Sequence, residues 1–158
     1  MTLSEVFLSL GEQEFGQLVC TISLGRLKTY QLYDRLKTRS HLPKLNAEGL
    51  RKSGPRFWTR LSGQDEELAS DLAQGILVSH IDMLRAVLDF LGVPNENGFF
   101  AKDLEASKYL TEGWQERVWE KFRETYPRGV LLFYINHLAW ELAKDTPIFA
   151  PQASEAKS

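Results

Sequence analysis

The sequence predicts an all-α fold, a single-domain bundle of about seven to eight helices. Three observations carry that expectation. Gly and Pro divide the chain into segments of helical length, apolar residues recur within them at three- and four-residue spacing, and the apolar/polar alternation of a half-buried strand is almost absent. The chain has 158 residues, 43% hydrophobic and 25% charged, outside the low-hydrophobicity, high-charge regime of disorder. A chain of this length can bury roughly 70% of the surface its unfolded form exposes, so no metal or disulfide staple is needed. There is no internal repeat and no dividing linker. Residues 1–145 are therefore expected to form one helical domain, and 146–158, rich in Pro, Ala and Ser, a flexible tail.

Thr2 with Glu5 makes a capping box that opens a first helix, expected through Leu10 with Gly11 as its stop. A second is expected from Glu12 to Ser23, before Gly25. A third, about Lys28 to Thr38, is amphipathic and basic. Asn46 is a good N-cap for a short helix ending at Gly54, and Pro55 is suited to open the next, PRFWTRL. Ser62 with Asp65 and Glu66 caps what reads as a long central helix, about 64–91, ended by Gly92 and Pro94. Its stripe runs through Leu68, Leu72, Ile76, His80, Leu84, Leu88 and Leu91. Asn97-Gly98 marks the clearest turn, with Phe99 and Phe100 anchoring the return to the core. Asp103 is placed to cap a short helix to Leu110, and Thr111 a helix ending before Pro127. The last helix, about 128–143, is apolar round most of its circumference and is expected at the bundle centre.

The lone Cys20 cannot form an internal disulfide, and its place between Val19 and Ile22 predicts a buried structural thiol. The N-terminus has no basic region ahead of its apolar residues, and no apolar run approaches the ~20 residues of a membrane-spanning helix. A cytoplasmic protein with no membrane partner is expected. Net charge is −2, yet Arg26 to Arg60 holds ten Lys and Arg against Asp34 and Glu48, a local sum of +8. Asymmetry of this kind can mark a face for an anionic partner.

Within that segment Arg35, Lys37, Arg39, Lys44, Arg51, Lys52 and Arg56 form a candidate anionic-ligand patch, with Tyr30, Tyr33, Phe57 and Trp58 interleaved for stacking on bases. A helix-turn-helix comparison fails on the long connector holding Pro43 and on two glycines in the would-be recognition helix, AEGLRKSG. Nucleic-acid binding is accordingly not the favoured partner class, since a pI near 5.9 lacks the expected basic footprint; the alternative is a solvated basic face paired with the acidic helices that follow Gln64.

His80 and His137 are candidates for a polar core site, with Asp82, Asp89, Asn136 and Glu141 near them in sequence. The Glu/His spacings of zinc helices and di-iron bundles are absent, so no metal and no cofactor is expected; the plain reading is that each histidine is hydrogen-bonded at the core edge. No nucleophile elbow, phosphate loop or dinucleotide fingerprint is present, and no catalytic residue is assigned. Trp114 and Trp140 are displaced from the main stripes of their helices toward a rim. A homodimer or protein partner fits the composition without pointing to particular residues. The favoured function class is a non-enzymatic helical domain acting through protein or ligand contacts. An enzyme would require His80 or His137 to meet a carboxylate within hydrogen-bond reach in a pocket.

Overall fold

The structure is a computed structural model that describes residues 2–30, 47–96, 98–100, 105–142 and 147–151. Eight α-helices lie among the described residues: α1 (Leu3–Leu8), α2 (Glu12–Val19), α3 (Leu24–Thr29), α4 (Ala47–Ser62), α5 (Glu66–Ser79), α6 (Ile81–Leu91), α7 (Trp114–Phe122) and α8 (Arg128–Leu142). A two-stranded antiparallel ribbon, β1 (Asn95–Glu96) and β2 (Phe99–Phe100), follows α6, and a 3-10 turn spans Ala106–Tyr109. The all-α class holds.

α1 starts as its sequence predicts: the Glu5 amide donates to Thr2 Oγ1 at 3.1 Å and the Thr2 amide to Glu5 Oε1 at 2.8 Å. Glu66, at the head of α5, reaches across and accepts from the amides of Leu3 and Ser4 and from the Ser4 hydroxyl. Those donors are the ones a helix N-terminus leaves open, so a carboxylate from another helix completes the cap. Packing continues through Phe7, stacked on Phe133 of α8 at 4.8 Å and edge-on to Phe15 of α2 at 5.6 Å.

Several expected boundaries are corrected: α2 ends at Val19 rather than Ser23, and the third helix starts at Leu24 rather than Lys28, with Gly25, the expected stop of α2, inside it. The residues expected to form two helices meeting at Gly54-Pro55 run as one helix, α4, with Pro55 inside it. Pro55 and Arg51, whose carbonyl loses its helical N–H, are both exposed, so water can take the orphaned acceptor. Gly54 itself is buried against Gly16 of α2, where an added Cβ would lie 3.8 Å from the Gly16 Cα. The small pair brings the two helices close. Asn46, the expected cap of this helix, lies outside the described residues.

The long central helix is also divided. α5 ends at Ser79, His80 adopts φ −128° and ψ 38°, and α6 starts afresh at Ile81. Side chains hold the break: Ser79 Oγ donates to the Gly75 carbonyl at 2.6 Å and accepts from the Ser23 amide at 2.7 Å, and His80 Nε2 lies 2.8 Å from Thr21 Oγ1. Short hydroxyl side chains compete in this way with the helical ladder. Apolar spacing continues on both sides of the break and so conceals it. The cap of α5 is Asp65, which accepts from the Leu68 amide at 3.0 Å, rather than Ser62, the last residue of α4.

Gly92, at φ +75°, closes α6. The turn expected at Asn97-Gly98 connects β1 to β2; Asn97 is outside the described residues, and Gly98 sits at φ +86° against α6. Asp103, the expected cap of the next segment, is likewise outside. α7 is preceded by Gly113 rather than by Thr111, whose hydroxyl instead accepts from Arg117 Nη2 at 2.8 Å. α8 is buried without interruption from Val130 to Ala139, the central position its composition predicts. Asn136 on α8 exchanges two hydrogen bonds with Phe149, donating to its carbonyl at 3.1 Å and accepting from its amide at 2.7 Å, which ties residues 147–151 to the bundle. Cys20 is exposed, not buried: it is the C-cap of α2 and turns outward where that helix stops. No described helix is long and apolar enough to cross a membrane.

Candidate functional site

Of the seven cations in the candidate anionic patch, Arg35, Lys37, Arg39 and Lys44 lie outside the described residues. Arg51, Lys52 and Arg56 are exposed on α4. Lys52 pairs with Glu48 one turn earlier at 3.1 Å, an exposed pair within one helix. Farther along, Arg60 grips Asp65 through both Nε and Nη2 at the α4–α5 junction. AEGLRKSG is part of the 16-residue α4, so it is no separate recognition helix.

His80 and His137 occupy different places. His80 is the half-buried hinge residue between α5 and α6, bonded to Thr21, and burial lowers its pKa. That is the hydrogen-bonded core-edge histidine the sequence suggests. His137 departs from that expectation. It is 6% exposed, and its buried Nδ1 has no hydrogen-bond partner among the described residues. Glu141 Oε2, one turn on, stands 3.8 Å away, beyond hydrogen-bonding range.

His137 borders a cavity of about 110 Å³ between α5, α6, the β-ribbon and α8. Gln74 and Leu77 come from α5, Leu84 from α6, and Tyr134, His137, Leu138 and Glu141 from α8. The ribbon supplies Gly98, Phe99 and Phe100. Its position depends on Gly98: a Cβ there would stand 2.8 Å from the Leu84 Cβ and 3.1 Å from the Ile81 carbonyl. Glu141 is 44% exposed and Gln74 is exposed, so the cavity opens to solvent beside them and has His137 on its inner wall.

The electrostatics follow from that depth. Burial holds the His137 imidazole down to about 4, so it is neutral at physiological pH. Burial raises the Glu141 carboxyl. Tyr134 is raised by burial and, next, by the negative charge of Glu141; its phenol stays protonated. A neutral imidazole always has one bare and one protonated nitrogen, so Nδ1 offers an unused acceptor or an unused donor. Leaving such a group buried and unpaired costs on the order of 1–3 kcal/mol. Rings flank it: Phe133 and Trp140 have centroids 5.7 and 5.6 Å from that of His137. Trp140 is half-buried beside the cavity, whereas Trp114 packs half-buried against the core at the start of α7. Among the described residues no group of three or more His, Cys, Asp or Glu could hold a metal ion.

Sequence reasoning singled out His137 and noted Glu141, but not Gln74, Tyr134 or the ribbon aromatics as neighbours. The readable signal was the i, i+4 spacing of His137 and Glu141 with Tyr134 one turn before on the same helix. Comparison with protein-family models, curated proteins and solved structures finds no match to this chain.

Proposed function

We propose that this protein is a non-enzymatic, cytoplasmic helical domain that binds a small molecule in the cavity bordered by His137. The observation that carries the reading is a cavity that opens to solvent and has in its wall the buried His137, whose Nδ1 has no hydrogen-bond partner among the described residues. Folding leaves such groups unpaired rarely, and a functional role is one of the recognised reasons. Apolar walls with a few convergent polar groups are the usual make-up of a ligand site. Glu141 is too far from His137 for a hydrogen-bonded acid–base pair, which favours binding over catalysis. One exposed, unpaired cysteine fits a reducing compartment.

The test is a fragment screen by ¹⁵N-resolved NMR on the full chain, repeated on Leu138→Trp, which fills the cavity. Hits are expected to shift the His137 ring nitrogens and the Gly98 amide in the parent and to be lost in the variant. Hits that persist unchanged in Leu138→Trp, or no hits at millimolar concentration, would sink the reading.

A second reading is an anionic partner on α4, favoured by the exposure of Arg51, Lys52 and Arg56 on one helix. Mixed DNA and RNA would then bind with an affinity falling steeply as salt is raised. Salt-insensitive or absent binding would exclude it.

A further inference from the structure

The lining of the cavity carries a sign as well as a shape. Its wall includes His137, whose buried Nδ1 has no partner among the described residues, and Glu141, whose Oε2 is 3.8 Å from that nitrogen. Tyr134 and Gln74 line it as well, and Gly98, Phe99 and Phe100 of the ribbon and the aliphatic Leu77, Leu84 and Leu138 form the rest of the described lining. No lysine or arginine is among the described lining residues. Among the described lining residues the titratable ones are Glu141, His137 and Tyr134, all on α8; those from α5, α6 and the ribbon are not titratable. Glu141 is the one carboxylate among the described lining residues, and its negative charge adds to burial in raising the Tyr134 hydroxyl.

We propose that the cavity takes a compact organic cation of the guanidinium or amine class, with its N–H groups donated to the Glu141 carboxylate and its body against the aromatic side chains. This deepens the ligand-binding reading and rests on it. Three features favour a cation. A guanidinium can meet a carboxylate with two parallel hydrogen bonds. Aromatic faces attract cations electrostatically. A carboxylate whose ionisation is resisted by burial against the cavity is relieved by an incoming positive charge. Size sets the remaining limit: an apolar cavity of about 150 Å³ holds benzene, so 110 Å³ admits a group of roughly five or six non-hydrogen atoms.

Three probes of one size and different charge separate the alternatives: methylguanidinium, N-methylurea and propionate, titrated into the full chain at pH 7 with NMR detection at Gly98, Tyr134 and His137. Methylguanidinium is expected to bind with a Kd on the order of 1 mM, at least tenfold tighter than N-methylurea, with propionate silent. Glu141→Gln, at a half-exposed position where the fold should tolerate it, is expected to remove that preference while leaving the melting curve in place. N-methylurea or propionate binding as well as methylguanidinium would overturn the cationic class and leave the cavity reading standing. Failure of all three probes, with other fragments seated at His137, has the same meaning. Failure of these probes and of the fragment screen together would overturn both.

Discussion

His137 concentrates the conflict between stability and function at a single residue. Its pKa is 6.5 in an exposed chain and about 4 in the fold, so between those values the unfolded chain binds a proton that the folded one refuses. The sign follows directly: stability is full above about pH 6.5 and falls as pH drops toward 4, by about 3 kcal/mol in all. Glu141 acts oppositely, since a raised carboxyl makes the fold less favourable once it ionises, but its exposure to solvent weakens that effect. His137→Leu removes both the titration and the unpaired nitrogen. It is expected to raise stability at pH 7 by about 1–2 kcal/mol, to flatten the loss of stability between pH 6.5 and 4, and to abolish ligand binding. Urea denaturation at several pH values measures all but the last. A variant that is less stable at pH 7 would show that Nδ1 has a partner in solution, and one that keeps the acid slope would show that the slope arises from another group. A site that destabilises its own fold is a common mark of function.

At the scale of elements, the β-ribbon is positioned by one glycine. Gly98 combines φ +86° with a space in which a Cβ would meet Leu84 at 2.8 Å and α6 backbone at 3.1 and 3.2 Å. Gly98→Ala must therefore strain the turn and push the ribbon off α6. The expected cost is about 1–3 kcal/mol, a fall of about 2–10 °C in Tm for a chain of this size, with faster amide exchange at Phe99 and Phe100. An unchanged Tm would mean that the ribbon is not docked. Where helix starts are concerned, the elements were legible wherever their determinants are local: the Thr2–Glu5 box, the Gly92 stop and the unbroken apolar surface of α8. They were illegible where distant residues decide. The break at His80 depends on Ser23 and Thr21, some sixty positions earlier; Pro55 could continue α4 because its turn faces water; Cys20 turns outward because α2 stops before it. The cavity belongs to the second kind. His137 and Glu141 could be picked out on one helix, but Phe99, Phe100 and Gln74 join them only through the way α5, α6 and the ribbon close on α8.

At the scale of the whole molecule, the described part of the basic segment holds two kinds of cation. Arg60 works structurally: its double contact with Asp65 joins the end of α4 to the cap of α5. Arg51 and Lys52 stand in solvent, and the one ion pair formed by Lys52, with Glu48, is exposed at both ends. Exposed pairs within a helix contribute a few tenths of a kcal/mol. The double charge reversal Arg51→Glu/Lys52→Glu takes the net charge from −2 to −6, and repulsion from Glu48 adds a cost of the same small size. The expected outcome is a Tm within about 3 °C of the parent at 0.15 M salt, with methylguanidinium binding in the cavity unaffected. Arg60→Ala, in contrast, leaves Asp65 half-buried without its guanidinium and is expected to lower stability by about 1–2 kcal/mol. If the double reversal instead melts well below the Arg60 variant, those exposed cations support the fold through partners beyond Glu48, and a surface free to meet an anionic partner is ruled out on α4. If it melts with the parent, the positive face does nothing for folding, and salt-dependent binding of DNA and RNA to parent and variant then decides whether it has a partner.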